Sequence, residues 1–328
     1  MKTREASPLH SAGPLIRQFY KKSGMFLILM ILVIIVSSLT PHFLRTTNLL
    51  NLVRQISFIA ILACGLTFIL ISKNMDLSGG GIICLVSVVT ALYGHPGEYP
   101  LIASIGLGLL VGTLCGFING VIIANFSIPP FIVTLGMKEV CCGLALLLSN
   151  ACPIPNLRDE IRWLGAGKIF NVIPVPCIVL LIVIVVTWIV LDNTKFGRHV
   201  FAVGGNESAA IISGVNVKWV KIGVYMLTGL LAAVSAIVLT GRTSSGQPGL
   251  GNGMEFDAIA AVIIGGTSYN GGIGTIWGSV IGALIIGVIN NGMDLMNVNM
   301  YYQQIVKGVV MVLAVLLDCL KNKNNASR

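Results

Sequence analysis

Long stretches of this chain carry no charged residue, among them Tyr99 to Met137 of 39 residues, Ala258 to Met293 of 36, Ile169 to Leu191 of 23 and Ile222 to Gly241 of 20. A helix of about 20 apolar residues spans the hydrocarbon core of a bilayer. Uncharged runs of this length, repeated along one chain, leave little room for a soluble fold and point to an all-α, polytopic membrane protein. Composition agrees, since only 10% of the 328 residues are charged, against roughly 25% in soluble domains.

The net charge of +9 comes from 21 basic and 12 acidic residues spread thinly along the chain. A nucleic-acid surface needs a dense basic stripe, whereas short cytoplasmic loops of membrane proteins are basic by habit. No nucleic-acid partner is expected. The eight cysteines (Cys64, Cys84, Cys115, Cys141, Cys142, Cys152, Cys177 and Cys319) contain no C-x-x-C, and most read as small buried hydrophobes. Cys152 and Cys177 border one polar loop, and whether they pair stays open. His10, His42, His95 and His199 lack neighbouring ligands. No metal and no cofactor are expected.

Apolar runs and polar breaks predict ten segments, near 25–40, 50–72, 79–94, 100–124, 128–150, 172–191, 219–241, 254–266, 272–292 and 300–318. Residues 1–24 read as a cytoplasmic tail rather than a cleavable signal, 25–318 as one membrane domain, and 319–328 as a second cytoplasmic tail. With the N-terminus inside, thirteen Lys and Arg fall on the cytoplasmic side and five outside, with Arg54, Lys138 and Lys307 within spans. That is the positive-inside pattern, and it places both termini in the cytoplasm. The third and eighth segments are short and flanked by Gly79-Gly80-Gly81 and Gly265-Gly266. Interrupted segments in matching places are a pointer to a transport path through two inverted halves. Gly108, Gly112, Gly116 and Gly120 form a four-residue ladder in the fourth segment, and Gly274, Gly278 and Gly282 form another in the ninth. Such ladders let backbones approach closely, and their offset of five segments again suggests inverted halves.

Charge inside a membrane is expensive, so it needs a reason. Asp76 and Asp257 each lie at the start of a short segment, where they either cap a helix N-terminus or contact a solute. Lys138 and Glu139 are helix neighbours that cannot face each other, and both are assigned to interfacial or lumenal positions. Asn119, Ser127, Thr134, Asn290 and Asn291 bring neutral hydrogen-bonding groups into spans, for a polyhydroxylated solute or for helix association. In the longest cytoplasmic loop, 193–218, Asn206 as N-cap and Gly214 as C-terminal cap predict a short helix over 206–213. No phosphate-binding loop, metalloprotease helix or nucleophile elbow occurs, so uphill transport would draw on ATP hydrolysed by another subunit or on an ion gradient.

These motifs resemble the ribose-type sugar permeases of bacterial ATP-binding-cassette importers. The resemblance rests on Met75-Asp76-Leu77-Ser78-Gly79-Gly80-Gly81, Gly116-Phe117-Ile118-Asn119-Gly120 and Ile128-Pro129-Pro130-Phe131-Ile132-Val133-Thr134-Leu135-Gly136. It continues through Thr194-Lys195-Phe196-Gly197-Arg198, Ala202-Val203-Gly204-Gly205-Asn206 and Glu255-Phe256-Asp257-Ala258 to Gly265-Gly266-Thr267. The chain departs from it where Lys73-Asn74-Met75 stands for the usual Gly-Gly-Ile, and Gly80 for the usual Val.

The resemblance implies an inner-membrane permease without its own ATPase site, moving a monosaccharide by alternating access. It implies a cytoplasmic ATP-binding partner (two copies or a fused double cassette), a periplasmic sugar-binding protein meeting loops 151–171 and 242–253, and a second permease subunit, identical or paralogous, all among membrane lipid. Gly204, Gly205, Asn206, Glu207, Ala209, Ala210, Ser213 and Gly214 are then expected to couple to the ATPase. Asp76, Ser78, Asn119, Phe131, Thr134, Asp257 and Asn290 are expected along the translocation path, and Gly112, Gly116, Gly120, Gly278 and Gly282 at helix contacts. The alternatives are a branched-chain amino-acid permease of the same superfamily and a gradient-driven secondary transporter.

Overall fold

A computed structural model of the chain describes residues 14–126, 128–170 and 172–326. Ser127 and His10, singled out in the sequence, lie outside the described residues, as does most of the proposed N-terminal tail. The elements are α1 (Pro14–Leu39), α2 (Thr46–Ile71), α3 (Gly79–Leu92), α4 (Leu101–Phe126), α5 (Pro130–Leu148), α6 (Asp159–Ala166), β1 (Lys168–Ile169), β2 (Ile173–Pro174), α7 (Val175–Asn193), α8 (Lys195–Gly205), α9 (Glu207–Ile212), α10 (Val217–Thr243), α11 (Met254–Ile264), α12 (Ile276–Leu295) and α13 (Met300–Ala326). Each of the ten apolar segments coincides with a helix. Six of these, α2, α4, α5, α7, α10 and α12, are long and apolar enough to cross a membrane. Helices α1 and α13 run on into the stretches read as tails.

Helix α2 is the centre of the bundle. From Ile56 to Ile71 every residue is buried, which is what a helix apolar on all sides is suited to. Helices α10, α12, α7 and α11 pack around it, while α4 lies along α10. Between helices in lipid there is little hydrophobic drive, so close approach of small residues carries the association. On α4, Gly112 rests on the Gly229 carbonyl, Gly116 on the Tyr225 carbonyl and Gly120 on Ile222, all of α10. The second ladder uses a different neighbour: Gly278 and Gly282 lie on the Gly265 and Ala261 carbonyls at the end of α11, and Gly274 precedes α12 rather than belonging to it. A Cβ on any of the five helical glycines would overlap these backbones.

The caps explain several helix starts. Thr194 Oγ1 accepts from Gly197 N–H at α8, Asn206 Oδ1 from Ala209 N–H at α9, Asn216 Oδ1 from Trp219 N–H at α10, and Thr275 Oγ1 from Gly278 N–H at α12. Each satisfies a backbone donor the helix itself cannot. Loop 193–218 holds two helices where one was expected, because Gly197, Val200, Val203 and Gly204 put a buried stripe on α8. Cys152 and Cys177 are both free thiols.

Candidate functional site

The two short helices begin inside the bundle. After α2 ends, residues 72–78 turn back without helix, and α3 starts with Gly79 against Leu62, level with the middle of α2. From α10, residues 244–253 descend along α3: Gln247 N–H donates to Ser87 Oγ, Gly251 N–H to Cys84 Sγ, and Gly251 sits against the Gly80 carbonyl. Helix α11 begins three residues later. The N-termini of α3 and α11 therefore meet within the bundle, each presenting the positive end of a helix dipole, although at α11 the Met254, Phe256 and Asp257 N–H groups are already taken by the Gly251 and Gly253 carbonyls. Three carboxylates, Asp76, Glu255 and Asp257, gather at this junction, all buried.

Asp76 closes the turn that leads into α3. Its Oδ1 accepts from Ser78 N–H at 2.8 Å and Ser78 Oγ–H at 2.6 Å. Asn119 of α4 donates to Ser78 Oγ at 3.0 Å, and Thr134 Oγ1 of α5 accepts from Leu77 N–H at 3.1 Å. Tyr225 of α10 donates to the Met75 carbonyl at 2.9 Å. So Asp76, Ser78, Asn119 and Thr134 form one buried network that holds the non-helical segment in place. Tyr225, missed in the sequence, belongs to it, and only its phenolic hydroxyl in an apolar span hinted at the need for a partner. Lys73 at the base of the segment has φ 59°, the left-handed conformation glycine adopts without penalty, and here lysine stands where the resembled family has glycine.

Glu255 meets Lys138. The lysine Nζ lies 2.5 Å from Glu255 Oε1 and 5.3 Å from the centre of the Phe256 ring. The partner of Lys138 lies 117 residues away, where sequence spacing gives no guide. A Cβ on Gly80 would overlap Glu255 Oε2 and the Gly251 carbonyl. A side chain at position 80 therefore has no room beside this carboxylate.

Asp257 is not a cap, because it lies in the first turn of α11 and no hydrogen bond to it from that helix's backbone N–H groups is formed. Its Oδ2 pairs with Lys307 of α13 at 2.8 Å and accepts a longer bond from Asn290 at 3.5 Å. Asn291, next along α12, instead exchanges amide bonds with Asn48. Phe131 joins neither cluster and is half exposed on α5.

A second region lies at the other end of the bundle from the loop pair 151–171 and 242–253, whose backbones touch through Ile154 and Gly246, exchanging two backbone bonds of 2.8 and 2.9 Å. Helix α8 packs its Gly204 against the Ile71 carbonyl, and Gly272 N–H donates to that same carbonyl at 2.8 Å. Gly205 follows, with its backbone beside Gly272 and nothing where a Cβ would point. Helix α9 projects beyond, closed by Gly214 at φ 81° and by the Val215 N–H bond to the Ala210 carbonyl, a Schellman-type end. Lys221 ties it to α10 through Glu207 at 2.8 Å. Glu207, Ala209 and Ser213 face solvent, but Ala210 is buried at 4% exposure, against the body of the bundle. The apolar side chains that α9 does expose are Ile211 at 57% and Ile212 at 87%.

A family model described as "Branched-chain amino acid transport system / permease component" matches residues 48–315. The chain is 45% identical over 303 residues to the ribose import permease protein RbsC of Bacillus subtilis, covering 92% of this chain and 94% of that one. It is 39% identical over 306 residues to the D-allose transport system permease protein AlsC of Escherichia coli, covering 93% and 94%. With the galactose/methyl galactoside import permease protein MglC of Salmonella typhimurium it shares 34% over 319 residues, covering 92% and 95%. No solved structure matches the chain.

Proposed function

The chain belongs to the branched-chain amino acid transport system / permease component family, and on that premise we propose that it is the multi-pass inner-membrane permease subunit of an ATP-binding-cassette importer for a monosaccharide. The observation that carries this is the end-to-end likeness to permeases named for the import of ribose, allose and galactose. Those names favour a sugar over a branched-chain amino acid as cargo.

Ten crossings with both termini cytoplasmic are the arrangement we adopt, and it is supported by the sorting it gives, thirteen basic residues on the cytoplasmic side against five outside. Two inverted halves, α2–α5 and α10–α13, account for the packing: α3 lies on α4 and α5 as α11 lies on α12 and α13, and α4 lies on α10 as α12 lies on α2. In that frame α9 is cytoplasmic and is the element on which an ATPase docks. Its movement reaches Ile71 through α8 and Gly204, and from Ile71 the chain leads directly through residues 72–78 to the α3–α11 junction. The paired loops 151–171 and 242–253 lie on the opposite, periplasmic side, where a sugar-binding protein delivers cargo. A second permease subunit completes the pore.

The permease does no covalent chemistry in this scheme. It alternates access, and a path that must release its solute binds it weakly. Affinity purification of a C-terminally tagged chain from native membranes tests the assembly. A soluble ATPase is expected to co-purify, and to be lost when residues 206–213 are scrambled in a chain that still inserts. Recovery of the chain alone, under conditions where a control importer stays intact, would favour the gradient-driven reading.

A further inference from the structure

Beside the α3–α11 junction, a cavity of about 520 Å³ opens between α11, α12 and α13. Its size lies within the range of small-molecule sites, and its composition is of the matching kind, mostly apolar with a few convergent polar groups. Met254, Phe256, Ala260, Ile286 and Met311 supply the apolar wall. Asn252, Asp257, Gln304 and Lys307 supply the polar one.

The polar groups keep capacity to spare. Asp257 is nine-tenths buried, and both its bonds fall on Oδ2, so Oδ1 has no hydrogen-bond partner among the described residues. Lys307 spends one donor on that carboxylate and has three. Asn252 is met only through its Oδ1, by the Cys84 and Cys142 thiols, which leaves its amide N–H₂ free. Behind Asp257, the buried Asn290 Oδ1 has no partner either. A fixed acceptor, an ammonium donor and amides around an aromatic face are what vicinal hydroxyls and the C–H face of a pyranose or furanose require.

The geometry points to this cavity as a transit subsite for the sugar, in which Asp257 Oδ1 and Lys307 Nζ bind adjacent hydroxyls and Phe256 packs against the ring. The inference rests on the importer reading for its ligand class, but occupancy is measurable without transport. Gln304→Cys, in lipid nanodiscs, places a thiol at the cavity wall; its maleimide labelling is followed by peptide mass spectrometry, with the exposed Cys152, which does not line the cavity, as internal reference. For a site with Kd on the order of 10 mM, sugar at on the order of 100 mM slows labelling about tenfold. D-ribose, D-allose, D-galactose and myo-inositol are the probes. At least one is expected to protect position 304 and not Cys152, and Lys307→Gln is expected to abolish protection. Met311→Cys, on the apolar wall, is a second reporter should the first variant insert poorly. Equal labelling at both reporters with and without all four probes overturns the subsite. ATP-driven sugar uptake by the parent chain, measured separately, then shows whether the importer reading stands without it.

Discussion

Lys138→Met is expected to lower the melting temperature of the detergent-solubilised protein by roughly 5–10 °C, because removing one partner of a buried ion pair costs about 3–5 kcal/mol. Glu255 has no exposed surface, and its second oxygen, Oε2, already lacks a partner. Without the lysine its charge has nothing to balance it. Lys138→Met with Glu255→Gln is expected to regain most of the loss, since a neutral pair of similar shape carries no stranded charge. The same ion pair can be approached from α3, where Gly80→Val drives a side chain into the carboxylate. If the single variant melts with the parent, or the double variant melts no higher than the single, α5 and α11 are not joined in this way.

Ile212→Asp, by contrast, is expected to leave the melting temperature within a degree or two and to weaken capture of the ATPase at least about thirtyfold, the loss of a central apolar contact of about 2 kcal/mol. The side chain is 87% exposed and touches little of its own protein. Ala210→Asp has the opposite profile. It forces a charge into the contact of α9 with the body, so its effect is on stability. Equal ATPase recovery with parent and Ile212→Asp, measured by quantitative co-purification, would move the docking surface off α9.

The fold was legible wherever its cause is local. Charge-free runs mark spans because the bilayer sets their length, and Asn206 with Gly214 marks α9 because caps are made by residues three or four apart. Helix α8 was missed, although Thr194 and the stripe Gly197, Val200, Val203 mark it once a second helix is allowed in the loop. The site was legible only in part. Asp76 closes a local turn rather than capping α3, and its partner Ser78 lies only two residues away. Glu255 and Asp257 find their lysines 117 and 50 residues away, and no spacing rule reaches across helices. Ala210 illustrates a third limit: the sequence shows that α9 forms, but which face it turns inward depends on how α8 and α10 hold it. The two glycine ladders look alike in sequence and yet meet different neighbours, one lying on α10 and the other on α11.

The claim at the centre of this picture is that ATP hydrolysed on a partner bound at α9 drives a sugar through the α3–α11 junction. Vesicles holding the chain with its co-purifying ATPase and sugar-binding protein, loaded with ATP on the ATPase side, test it in one assay of labelled-sugar uptake. Uptake is expected only with hydrolysable ATP, and to persist when proton and sodium gradients are collapsed. Uptake that ignores ATP and stops with a collapsed gradient would contradict it.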